Sequence, residues 1–195
     1  MVNNNCKKCP VGTFADVPGL STCLPCAAGT FNNAVGKAAC RQCDAGQFQE
    51  RQGQTQCQVC PDGSYSFEAG SAKCTECPPG NKCLSGEAIS CDVGSYQDKK
   101  SQTACKLCAE GSFSDAKGLA ACRDCQDGSY ANLPGAASCK GCPPGFSCAN
   151  KSICPLPCKA GHFSPGDQKA CTPCAEATLT NCSLCAADAA CNQVL

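Results

Sequence analysis

The chain has 195 residues, of which 26 are Cys, seven Phe, three Tyr and none Trp. So little apolar bulk cannot build one large core, and this cysteine density marks a disulfide scaffold made for an oxidising compartment. Sixteen basic and 16 acidic residues balance to a net charge of zero, with no basic block to bind nucleic acid or an anionic membrane, and no apolar run approaches the length of a membrane-spanning helix.

The N-terminus reads M-V-N-N-N-C, with neither a basic nor an apolar segment of a signal peptide. Together with the cysteine density, this predicts a fragment or mature segment of a larger secreted or cell-surface protein. From Cys9 the chain becomes periodic. The stretch Cys9–Cys26 is one repeat: Gly12 follows the opening Cys by three residues, Phe14 by five, Cys23 by 14, and Cys26 opens the next. Ten repeats open at Cys9, Cys26, Cys43, Cys60, Cys77, Cys91, Cys108, Cys125, Cys142 and Cys158, most of them 17 residues apart. All ten carry the first Gly. A second Gly recurs ten residues after the opening Cys, as Gly19, Gly36, Gly53, Gly70, Gly118 and Gly135.

The segment between aromatic and second Gly is short and polar, as in F-N-N-A-V-G at 31–36. With Gly at both turns it predicts strand, turn, strand, a small irregular hairpin. No helical periodicity is sustained anywhere. The expected fold class is small and disulfide-rich: an elongated tandem array of short β-hairpin modules, with little or no helix, each module touching mainly its neighbours.

A longer period overlies the short one. Residues 26–90 align without gaps on 91–155, and D-G-S-Y at 62–65 recurs at 127–130. Each 65-residue superrepeat ends in an irregular repeat, C-P-P-G-N-K-C at 77–83 and C-P-P-G-F-S-C at 142–148. The expected domains are a first array over 6–90 ending in the irregular repeat 77–91, a second over 91–157 ending in 142–158, and a last repeat with a divergent C-terminal cap, or the start of another module, over 158–195. The prolines of the irregular repeats are expected to stiffen a corner.

The 14-residue spacing suits disulfide closure, worth roughly 3 kcal/mol for a loop of about 15 residues in the chain-entropy account. It predicts bridges Cys9–Cys23, Cys26–Cys40, Cys43–Cys57, Cys60–Cys74, Cys91–Cys105, Cys108–Cys122, Cys125–Cys139 and Cys158–Cys171, with the aromatic of each loop packed on the bridge and on the next repeat. A ladder joining alternate cysteines across repeats competes with this pairing. Cys6, Cys77, Cys83, Cys142, Cys148, Cys154, Cys174, Cys182, Cys185 and Cys191 cannot be paired from spacing. Zinc is the rival chemistry, since Cys6, Cys9, Cys23 and Cys26 have a ribbon-like spacing. The uniform recurrence sets no group of four apart, and a metal site gives no reason for a Gly and an aromatic in every loop. Redox-active C-x-x-C chemistry would need a low-pKa thiol on an α/β scaffold.

His162 is the lone histidine and reads as a surface turn residue. No catalytic grouping, metal site or cofactor motif is placed by the sequence, and the chain is not expected to be an enzyme. Two glycosylation sequons occur, at Asn150 and Asn181.

The repeat C-x-x-G-x-[FY]-x8-C-x-x-C resembles the ephrin-receptor-like cysteine-rich repeat of secreted and cell-surface proteins, over roughly residues 6–174. It is also similar to the first half-module of tumour-necrosis-factor-receptor-like domains, in which opening and closing cysteines are bonded, and this resemblance implies the same bridge for Cys9–Cys23 and its copies. The 17-residue period lacks that family's second half-module, so no cytokine-binding residues carry over. N-C-S-L-C at 181–185 resembles the spacing of furin-like growth-factor-receptor repeats. The expected function is an extracellular structural, adhesion or filament-forming segment whose partners are proteins, including other copies of itself. The alternatives are a receptor-like ectodomain with its ligand on the irregular repeats, and a thiol metal-binding protein.

Overall fold

The computed structural model describes residues 7–18, 20–151 and 154–174. Among the described residues it contains ten two-stranded sheets and no α-helix. The repeat opening at Cys9 shows how they arise. Pro10, Val11, Gly12 and Thr13 form a turn closed by Thr13 N–H donating to the Pro10 carbonyl at 3.2 Å. Gly12 occupies the third position of that turn with φ 76°, which only glycine adopts without steric cost. The Thr13 hydroxyl doubles the closure, donating to the same carbonyl at 2.7 Å. The turn launches β1 (Thr13–Phe14), which pairs antiparallel with β2 (Leu24–Pro25) in the register Thr13↔Pro25 and Phe14↔Leu24. Every regular repeat reuses this register, so each aromatic faces the residue just after the closing cysteine. Two of those facing residues are cations set over the ring: Arg41 over Phe31 at 5.5 Å and Lys106 over Tyr96 at 5.7 Å.

A two-residue hairpin cannot stand alone in water, and here stacking supplies what pairing lacks. Gly12 N–H donates to the Asn32 carbonyl in the next repeat at 2.7 Å, Ala15 N–H to Lys37 at 3.1 Å, and Gly36 N–H returns to the Cys9 carbonyl at 2.8 Å. The same three bonds join the next junction, through Gly29, Asn32 and Gly53. The following opening cysteine donates its N–H back as well, Cys26 to Gly12 at 2.9 Å and Cys43 to Gly29 at 2.9 Å.

The junction bonds join adjacent modules, as expected, and the stack also interlocks beyond nearest neighbours. A side-chain carbon on Gly12 would overlap the carbonyl of Gly53, two repeats along, and Gly29 and Gly94 meet Gly70 and Gly135 in the same way. The reason is the flatness of the modules: two strands of two residues leave so thin a layer that the turn of repeat three reaches the turn of repeat one.

Burial centres on the cysteines. Most aromatics are half-buried, whereas the opening cysteines from Cys9 to Cys142 are buried throughout. The core is therefore a line of sulfur and backbone, with the rings along its side. Tyr130 and Phe163 are the fully buried rings, and Tyr130 packs with Cys142, Cys148 and Phe146.

Packing divides the chain into two compact units, Met1–Ile89 with Lys99–Ala104, and Ser90–Asp98 with Cys105–Leu195. In the first, Ser101 takes the place of the second Gly: it holds φ 57° and donates its N–H to the Cys77 carbonyl at 2.9 Å. In the second unit Asp167 plays this part toward Cys142 at 2.7 Å, with φ 52°. The left-handed conformation costs a non-glycine residue roughly 1–2 kcal/mol, so Ser101→Gly is expected to raise the thermal midpoint, measured by circular dichroism without reductant. Gly94→Ala and Gly161→Ala separate sterics from φ. Both glycines sit near φ 79°, but a methyl on Gly94 overlaps the Gly135 carbonyl while one on Gly161 meets nothing within 4 Å. Gly94→Ala is expected to lower the midpoint clearly further than Gly161→Ala, and equal losses would contradict the interlocked stack.

Candidate functional site

The site-bearing residues read from the sequence are chiefly cysteines, and every described cysteine is disulfide-bonded. Bridges of 14-residue separation join Cys9–Cys23, Cys26–Cys40, Cys43–Cys57, Cys60–Cys74, Cys91–Cys105, Cys108–Cys122 and Cys125–Cys139. Cys158–Cys171 spans 13. Their Cα–Cα separations of 5.6 to 5.8 Å sit in the ordinary disulfide range. Cys154 and Cys174 are also bridged. Cys6, Cys182, Cys185, Cys191 and the sequon at Asn181 lie outside the described residues.

Two bridges were not legible in the spacing: Cys77–Cys83 and Cys142–Cys148, each six residues apart. Their logic lies in the residue that follows the aromatic, six positions after the opening Cys. In five of the regular repeats Asn32, Gln49, Ser66, Gln97 and Ser114 fill it, all buried, with Ser114 at 0% exposure, and Ala15 and Ala131 stand there in two others. These side chains bond to the backbone of their own loop, and Asn32 reaches the preceding repeat as well. Asn32 Nδ2 donates to the Thr13 carbonyl at 2.7 Å while its Oδ1 accepts the Ala34 N–H at 3.2 Å. Gln49 Nε2 donates to Gln56 O at 2.8 Å, and Ser114 Oγ to Ala116 O at 3.0 Å. In the irregular repeats this place is held by Cys83 and Cys148. The opening cysteine then finds its partner inside the layer instead of 14 residues on. Stacking continues through it, since Gly63 N–H donates to Cys83 O at 3.0 Å and Cys83 N–H to Gln102 O at 2.9 Å. The signal available in the sequence was a small or amide residue directly after nearly every aromatic.

Released from the long bridge, the chain after Cys83 forms the longest hairpin among the described residues. β9 (Asn81–Leu84) and β10 (Glu87–Ser90) are four residues each and pair through a turn in which both Ser85 and Gly86 have positive φ, the signature of a tight hairpin. The turn docks on the preceding repeat: Ser66 N–H donates to Gly86 O at 3.1 Å, and Ser85 N–H to Asp62 Oδ1 at 3.1 Å. Between them opens a cleft of about 320 Å³ lined by Ala45, Gly46, Tyr65, Phe67, Glu87 and Ala88. Phe67 stands at its rim, 84% exposed.

Charges decorate the stack rather than gather in one place. Lys106 meets Asp98 at 2.6 Å and Arg123 meets Asp115 at 3.0 Å, at matching positions of consecutive repeats. The hydrogen bond that Lys106 donates to Asp98 raises the Lys106 pKa, and the one that Lys117 donates to Asp92 raises that of Lys117. Asp127 sits between Lys169 at 3.2 Å and Lys151 at 3.5 Å, and these cations lower its pKa. A lowered carboxyl pKa favours the folded state above its unfolded pKa and loses that contribution as pH falls through the folded value; at an exposed site salt screens it. His162 is half-buried, its Nδ1 3.4 Å from the Ala160 carbonyl. Among the described residues no group of three or more His, Cys, Asp or Glu side chains is arranged to hold a metal ion, and no helix is long and apolar enough to cross a membrane. Asn150 is exposed in the irregular repeat.

The family described as tyrosine-protein kinase ephrin type A/B receptor-like matches residues 12–55, 29–65, 46–88 and 111–152, in overlapping tandem fashion. A search of curated proteins finds no match. The matched repeats are a non-catalytic, cysteine-rich module type, and with the regular bridges they mark an extracellular domain.

Asn32→Leu is expected to destabilise by about 2–3 kcal/mol, because it strands the Ala34 N–H and the Thr13 carbonyl inside the stack. Asn33→Leu, one residue on at an exposed position, is expected to change stability by less than about 0.5 kcal/mol. Chemical denaturation of the oxidised chain measures both.

Proposed function

Because the chain belongs to the ephrin-receptor-like family of cysteine-rich repeats, we propose that it serves as an extracellular structural, adhesion or filament-forming segment of a larger secreted or cell-surface protein, with protein partners that include other copies of itself. The observation that carries this reading is the junction. The same backbone bonds and the same bridge recur from repeat to repeat, as at Gly12, Gly29 and Gly46 on one side and Asn32, Gln49 and Ser66 on the other. A layer tied covalently within itself and hydrogen-bonded to the next resists proteolysis and local opening. It also presents equivalent surface positions at regular intervals, which suits repeated contacts of one kind. Electron microscopy of the native assembly tests the reading. Regular fibrils, sheets or end-to-end strands carrying this chain are expected, and isolated, unassembled molecules on a cell surface would contradict it.

A second reading is favoured by the cleft beside the irregular repeat 77–91: a receptor-like ectodomain that binds a protein ligand there. Replacing 77–91 by a regular repeat is expected to abolish ligand binding on this reading and to leave assembly unaffected on the first.

Secretion exposes the Asn150 sequon to glycosylation, and the side chain is exposed. The chain secreted from a eukaryotic host is expected to lose one glycan's mass on peptide-N-glycosidase treatment, and Asn150→Gln to remove that shift. A chain whose mass does not change on treatment would show the site unused.

A further inference from the structure

We propose that the cleft over Phe67 and the outer edge of β10 form one docking site for an extended peptide segment of a partner protein, apolar in alternate positions and carrying Lys or Arg. The proposal rests on the receptor-like reading and names the chemistry of its ligand.

Phe67 is the first ground. It lies seven residues after its opening cysteine, where six other repeats place Asp16, Asn33, Glu50, Asp98, Asp115 and Asn132. Asn132 is its counterpart in the 65-residue superrepeat, so the repeat folds with a small polar residue there. Stacking does not need a ring at this place, and the ring is 84% exposed in a chain with only seven Phe. An aromatic left in water beside an apolar cleft is the usual form of a binding anchor. Tyr65, Ala45 and Ala88 supply the apolar walls of this one.

The second ground is the backbone. β10 is exposed along all four residues, and its sheet contains only β9 besides. Among the described residues no further strand is paired with β10, and the parallel bridge of Tyr65 with Gly86 falls just before it begins. The other strands, apart from β9, are two residues long, too short to template a partner. Its residues Glu87–Ile89 can take an extended segment by strand addition, with alternate side chains of that segment turned toward the cleft.

Charge selects the partner. Glu87 lines the cleft and Glu68 follows Phe67 in the chain. Neither carboxylate has an ion-pair partner among the described residues, although Glu50 and Glu76 each have one, Arg51 and Lys100. A segment bringing Lys or Arg against them gains complementarity, and an acidic one is repelled.

The test uses the full oxidised chain and two fluorescein-labelled decapeptides, alternating Lys–Val and alternating Glu–Val, followed by anisotropy. The Lys–Val peptide is expected to bind saturably and the Glu–Val peptide not to bind. Phe67→Asn is expected to weaken binding at least about tenfold, and Glu87→Lys to favour the Glu–Val peptide. Val35→Asn, at an equally apolar exposed position elsewhere, is expected to change nothing. N-methylation of alternate peptide bonds is expected to abolish binding, since it removes the donors that pair with the strand. Absence of Lys–Val binding, or binding indifferent to Phe67→Asn, overturns the proposal. Binding indifferent to Phe67→Asn but lost when 77–91 is replaced by a regular repeat overturns this site while keeping the receptor-like reading. Self-association of the chain that is lost in Phe67→Asn assigns the cleft to a second copy and likewise overturns it.

Discussion

The peptide group of each opening cysteine is the constraint on which the stack depends. At Cys26 the N–H donates back to Gly12 and the carbonyl accepts from Gly53, while the sulfur is bridged to Cys40. One buried residue thus ties together the repeat before it, its own loop and the repeat after it. Because its side chain ends in a covalent bond rather than in an apolar body, burial costs little volume, and the layers approach closely enough for turns two repeats apart to touch. The near absence of large apolar residues is then a requirement of the architecture: Leu or Phe in the line of cysteines would hold the layers apart and break the backbone bonds.

Glycine is the counterpart of that closeness. Gly12 needs its left-handed φ to form the turn, and it needs its missing side chain because the Gly53 carbonyl occupies that space. Ser101 and Asp167 show that the two demands can be separated. At the second turn only φ is required, and a non-glycine residue can meet it.

The irregular repeats show how much variation the stack accepts. Exchanging a buried Asn, Gln or Ser for Cys83 moves the disulfide partner inside the layer while the backbone bonds on either side persist. What changes is the loop, no longer held by a 14-residue bridge and free to grow into the β9–β10 hairpin. The exposed Phe67, the cleft and the unpaired carboxylates gather beside it. Departure from the repeat and accumulation of surface chemistry therefore share one cause.

Sequence alone determined the fold class, because its evidence is local. A Gly three residues past each opening Cys specifies a turn, an aromatic two residues further marks a strand, and a 17-residue step kept by most repeats points to a tandem array. The same motif carried the resemblance to the ephrin-receptor-like family, and the cysteine density pointed to an oxidising compartment. Only the tertiary structure decided the rest. The residue after the aromatic looked like an ordinary polar loop position, and its burial arises from the next layer closing over it. The partners of Cys77 and Cys142 depended on that burial, since a six-residue bridge forms only where Cys83 and Cys148 are turned inward. Phe67 was one aromatic among seven Phe in the sequence; its exposure, and the strand edge beside it, appear only once the stacked turns define which side of each layer faces water.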